Sequence, residues 1–215
     1  MKAKPASKTL SSADEDAQQP AAVGSGKDRI MAVAGELFYR NGIGSVGVDR
    51  IIEDAGVAKA TLYKNFRSKD NLIHAYLNEK HDITVLALTA IADSGLTAGE
   101  KIDGIFGYLE QLTQDEKFRG CAFVLAVAES PLPDSPAYQW AHRHKAHVRG
   151  IFSDVLAQSV KRGQLDTVVE KMMILYDGAL ISSALQASPV PIHCALEMAH
   201  NVLRQHAPRQ RSIAA

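Results

Sequence analysis

Between Val57 and Lys69 stand four cations, Lys59, Lys64, Arg67 and Lys69, with no acidic residue among them, in a 215-residue chain whose formal net charge is zero. A polyanion selects such a local excess, because lysine and arginine neutralise backbone phosphates. Thr61, Tyr63 and Asn65 lie between the cations and add hydrogen-bonding groups. The chemistry on offer is recognition of a phosphodiester backbone. For bond-making chemistry the chain has no glycine-rich phosphate loop, no nucleophile motif and no helical carboxylates spaced with His for a metal. We therefore assign no catalytic residue.

These side chains need a scaffold, and the stretch Val48 to Lys69 supplies one as two short helices joined by a turn. Val48, Ile51, Ile52 and Ala55 fall at i, i+3, i+4 and i+7, so one face of the first helix is apolar. Gly56 ends it, being able to take a left-handed conformation without a Cβ penalty. A second helix from about Ala58 to Asn65 or Phe66 turns Leu62 and Phe66 inward and Ala60 and Lys64 outward, with Lys59, Thr61 and Tyr63 flanking. This is a helix-turn-helix. Its second helix is expected to meet base edges in a major groove through Lys59, Ala60, Thr61 and Lys64, and phosphates through Tyr63, Asn65 and Lys69. Ala60 can offer only a methyl contact, for instance to thymine.

The run AGVAKATLYKNFRSKDNL resembles the signature of TetR-type transcriptional repressors: a Gly-Val turn, a Thr-Leu-Tyr recognition helix, a Phe, and a Ser-Lys opening the next helix. The resemblance covers residues 27 to 75 and rests on the order and spacing of Gly56, Thr61, Leu62, Tyr63, Phe66 and Lys69. It places Tyr63 and Lys69 at the family's phosphate-gripping positions. It also implies a homodimer, a double-stranded palindromic DNA operator, and an unidentified small-molecule effector whose binding changes the spacing of the two recognition helices. Gly47 departs from the pattern, which has Thr or Ser as N-cap of the first helix. Glycine caps nearly as well but brings no hydroxyl to a phosphate.

The rest of the chain reads as all-α. A first helix over Lys27 to Arg40 carries the stripe Ile30, Val33, Ala34, Leu37 and Phe38 and covers the other two. Ser68 caps a long helix to about Ala92, whose single apolar stripe runs from Leu72 through Ile83 and Leu86 to Ile91. Further helices are expected over 99–114, 120–128, 135–161, 166–187 and 190–206. The second of these is almost wholly apolar and so central, and Gly163 caps the third. The stripes of the last two helices, Val169 to Ala187 and Ile192 to Leu203, suit either the monomer core or a four-helix dimer interface, and the resemblance favours the dimer. The expected organisation is a tail over 1–26, the DNA-binding domain over 27–75, an effector-binding and dimerisation domain over 76–207, and a tail over 208–215. The first tail is a solvated segment or, in a second reading, a minor-groove arm offset by Asp14, Glu15 and Asp16.

Candidate pocket residues for the effector are Phe106, Tyr108, Phe123, Trp140, His144, Phe152 and Tyr176, each also readable as ordinary core. Of His142, His144 and His147 only the last two could share a metal ion, since residues two apart on a helix face different ways, and with no third partner evident the three read as a solvated polar face. No metal and no cofactor are expected. Cys121 and Cys194 are too few for a disulfide framework, and Cys121, in an apolar run, reads as buried. With no apolar leader and no uncharged run near the ~20 residues of a membrane span, a cytoplasmic protein without membrane contact is expected. The alternative function is a helix-turn-helix docking module fused to a helical enzyme or protein-interaction domain.

Overall fold

The computed structural model describes residues 24–207, the Arg162 side chain excepted, and both expected tails lie almost wholly outside that range. Among the described residues there are nine α-helices and no strand: α1 Gly26–Asn41, α2 Val48–Asp54, α3 Lys59–Phe66, α4 Lys69–Ala92, α5 Ala98–Thr113, α6 Ala122–Glu129, α7 Pro136–Leu156, α8 Leu165–Gln186 and α9 Val190–His206. The all-α expectation holds. Helix starts follow local chemistry: Ser25 and Asp28, and Thr97 and Glu100, close reciprocal capping boxes on α1 and α5. Ser68 and Ser135 cap α4 and α7 through their hydroxyls. Ser25 and Gly26, expected in the tail, are thus the start of α1.

Two apolar cores share the molecule. The first is closed by Ile30, Leu37 and Phe38 of α1, Ile51 of α2, Leu62 and Phe66 of α3, and Leu72, Tyr76 and Leu77 of α4. Phe123 and Ala126 of α6 and Ala137 and Trp140 of α7 also belong to it, so distant chain completes the three-helix unit. The second core gathers Leu88, Phe106, Phe152, Met172, Tyr176 and Ile192 from α4, α5, α7, α8 and α9. Each large side chain buried this way contributes roughly 1.5–3 kcal/mol relative to exposure.

Four expectations need correction. The apolar stripe of α4 does not continue: Ile83 and Leu86 are 52% and 75% exposed, and the buried line runs Leu77, His81, Leu88 instead. A 24-residue helix passing from one core to the other presents a different side to each, so one stripe cannot serve both. Helix α6 is peripheral, burying only Phe123 and Ala126. Helix α7 stops at Leu156, not Lys161, because the chain turns to bury Val160 and to let the Lys161 N–H donate to the His206 carbonyl; Gly163 therefore lies in a short 3₁₀ turn. Finally, the main stripes of α8 and α9, offered above for a dimer, are consumed within the chain, with Met172, Tyr176, Ile192 and Ala199 buried in the second core.

Candidate nucleic-acid interface

Helix α3 is pinned by Leu62, fully buried, and Phe66, 5% exposed. That fixes its rotation and turns Ala60, Tyr63, Lys64 and Asn65 outward, all of them exposed, with Tyr63 at 40%. Thr61 is half-buried against the start of α1, where a Cβ added to Gly26 would lie 2.8 Å from its methyl group. The Asn65 amide donates to the Thr61 carbonyl at 2.7 Å. Lys59 is paired with Asp49 of α2 at 3.1 Å, and that bond raises its pKa. The acid-free window in the sequence therefore has a carboxylate brought to it from ten residues upstream.

Past α3 the chain turns sharply at Arg67, whose φ of 61° is strained for a residue with a side chain. Lys69 opens α4 and donates through Nζ to the Gly44 carbonyl at 3.4 Å, half-buried beside the turn that precedes α2. Gly47 occupies the N-cap of α2 in extended conformation without a side-chain cap bond.

On the far side of α1, Tyr39 and the loop before α6 are interlocked. The Tyr39 hydroxyl donates to the Gly120 carbonyl at 2.9 Å and accepts from the Arg119 N–H at 2.8 Å. The Arg119 guanidinium donates to the carbonyls of Tyr39 and Arg40, satisfying the open end of α1 where a cation is favoured. Burial pushes the Tyr39 hydroxyl pKa up. Beside this interlock opens a cleft of about 270 Å³, lined by Tyr39, Lys80, Tyr108, Gln111, Cys121, Phe123 and Tyr176 among others.

A buried polar cluster joins α4 to α7. His81 Nδ1 lies 3.2 Å from His144 Nδ1, so one ring donates and the other accepts. Phe123 stacks on His144 with ring centroids 3.8 Å apart, and the Trp140 indole donates to His74 Nδ1 at 3.0 Å. Burial, then the charges of Lys145, His81 and His147, push the His144 pKa down to about 3. The His81 pKa is lowered by burial and by His147 and Arg143. No group of three or more candidate metal ligands occurs among the described residues.

Residues 30–76 match the family described as bacterial regulatory proteins, tetR family. A crystal structure of a TetR-family transcriptional regulator from Streptomyces coelicolor is 32% identical, covers 85% of this chain and 96% of its own, and superimposes with a TM-score of 0.80. The chain belongs to the TetR family of transcriptional regulators. Curated relatives agree: the HTH-type transcriptional regulator LmrA of Bacillus subtilis is 24% identical over 79% of this chain and 92% of its own length. The HTH-type transcriptional repressor KstR2 of Mycolicibacterium smegmatis is 23% identical over 70% and 71% respectively.

In this TetR-family chain the seven DNA-facing candidates fall into two groups. Lys59, Ala60, Tyr63, Lys64 and Asn65 share the open side of α3, while Thr61 and Lys69 sit at its edges, each touching a neighbouring segment. Of the pocket candidates, Tyr108, Phe123 and Tyr176 line the cleft. Phe106 and Phe152 are fully buried in the second core, Trp140 packs in the first, and His144, expected on a solvated face, is instead buried in the histidine pair because Phe123 and His81 cover it. Cys121, expected to be buried, is only partly so: it packs against both cores and reaches the cleft wall. Sequence reasoning missed Tyr39, Arg119 and His81. Their partners lie about 60 to 80 residues away, and only the interruption of the α4 stripe at a histidine pointed to one of them.

Proposed function

We propose that this TetR-family chain is a cytoplasmic homodimeric repressor that binds a palindromic duplex operator and responds to a small-molecule effector. Residues 27–75 read DNA and residues 76–207 bind the effector and the second subunit. The observation that carries the DNA reading is the outward face of α3, where Lys59, Ala60, Tyr63 and Lys64 stand clear of a core that locks the helix from behind. One such helix reads a half-site, and a two-fold dimer presents two about one helical turn apart.

The dimer reading is supported by a second face of α8 and α9, not used by the monomer core, which leaves Ile174, Leu185, Val190 and Met198 more than half exposed. Apolar patches of this kind mark association surfaces. The cleft lined by Tyr108, Phe123 and Tyr176 of residues 76–207, with Tyr39 of the DNA-binding region closing one wall, supports the effector reading: its size and mainly apolar wall suit a small hydrophobic molecule with one or two polar groups. An effector that weakens DNA binding must itself bind the DNA-free form more tightly by the same factor.

Selection of duplexes from a random library, followed by titration at several salt concentrations, tests the reading. Specific binding above random sequence is expected, with Lys69→Ala reducing the slope of log affinity against log salt by ~0.9. Equal affinity for selected and random duplexes would overturn it.

A further inference from the structure

The turn between α1 and α2 holds a carboxylate from a remote helix. Glu129, the last residue of α6, accepts the Gly44 N–H through Oε2 at 2.8 Å. The space beside it is reserved by glycine. A Cβ at Gly44 would lie 3.0 Å from Oε2, and one at Gly42 would land on the carboxylate itself. Gly42 also has a φ of 91°, a conformation that side chains rarely adopt. Both glycines thus shape a cradle for Glu129. On the other side of the same residue, the Gly44 carbonyl accepts Lys69 Nζ at 3.4 Å.

We propose that Glu129 is a positioning residue for DNA reading: it fixes Gly44, and through Gly44 the Lys69 ammonium, so that the placement of α6 is expressed at the phosphate-gripping edge of the recognition unit. The proposal rests on the DNA reading above. Helix α6 suits this task because it is short and stiff, about 12 Å for eight residues. Its first turn, through Ala122 and Phe123, lines the cleft, and its last residue grips the turn. An occupant that shifts the first end shifts the second, by a route separate from α4.

Glutamine at position 129 keeps an acceptor for the Gly44 N–H, whereas alanine removes it. Amide hydrogen exchange at Gly44 should quicken in Glu129→Ala and stay near the parent rate in Glu129→Gln. Against a duplex selected by the parent protein, Glu129→Ala should weaken binding roughly threefold to tenfold and Glu129→Gln little. In a double-mutant cycle, Glu129→Ala combined with Lys69→Ala should bind about as well as Lys69→Ala alone, because the two act in series. Unchanged Gly44 exchange in Glu129→Ala, or losses that multiply in the double variant, would overturn the assignment while leaving the repressor reading intact. Failure of the parent to select any duplex would sink the repressor reading and this proposal with it, even if Gly44 exchange responds as expected.

Discussion

The outer faces of α3 and α8 are built alike and finished differently. Each helix is locked from behind, α3 by Leu62 and Phe66, α8 by Met172, Met173 and Tyr176. In front, α3 shows Ala60, Tyr63 and Lys64, and α8 shows Ile174, Ile181 and Leu185. The first suits a charged, hydrated partner, whose attraction would fall with salt. The second gains by excluding water and is largely indifferent to salt. The inward residues decide where each face points, and the outward residues decide what it can meet.

The largest expected effect breaks the apolar side of this comparison. Ile174→Asp combined with Leu185→Asp places charges on the proposed interface and should convert the dimer to monomer in sedimentation. Operator affinity should then fall by orders of magnitude, since each half-site is bound alone. Lys64→Ala should do the reverse, leaving the dimer intact and weakening DNA binding with a shallower salt dependence. Dimer persistence in the Asp double variant would remove α8 from the interface.

A smaller effect lies between the two faces, at the histidine pair. His144 has a pKa near 3 in the fold against an ordinary 6.5, and that of His81 is also lowered. The unfolded chain therefore takes up protons that the folded chain refuses. Stability from these groups is complete above pH about 6.5 and drains away as the pH falls towards 3. Urea midpoints should be flat from pH 7 to 8 and decline from 6.5 to 4, with a shallower decline in His81→Leu/His144→Phe. An equal decline in that variant would place the acid sensitivity elsewhere.

The smallest effects come from two helix ends, one near each face. Gly47→Ser puts a capping hydroxyl at the start of α2, where a Cβ meets nothing within 4 Å, and should stabilise by a few tenths of a kcal/mol. Ala187→Gly relieves a left-handed φ of 48° at the end of α8 and should stabilise by roughly 0.5–1 kcal/mol. Thermal melting reads both, and neither substitution should change the oligomeric state.

Much of this was legible in the sequence because it is local. The period of Val48, Ile51 and Ala55, the stop at Gly56, the cap at Ser68 and the pairing of Leu62 with Phe66 place α2, α3 and the start of α4 close to their observed bounds. These features depend on hydrogen bonds and burial within a turn or two, which residue order encodes directly. Periodicity fails where a helix changes neighbours. Ile83 and Leu86 continue a pattern that the second core does not use, and α6 is apolar all round yet peripheral.

The sequence by itself determined the all-α class, the helix-turn-helix and the side chains that α3 turns outward, because helix rotation follows from which residues must be buried. Only the tertiary structure decided which stripe of α8 closes the monomer and which face it leaves open. It also brought Asp49 to Lys59, closed His81 on His144, and seated Glu129 in the Gly42–Gly44 turn. The last two join residues 63 and 85 positions apart, and only packing sets those contacts, since no local rule reaches so far.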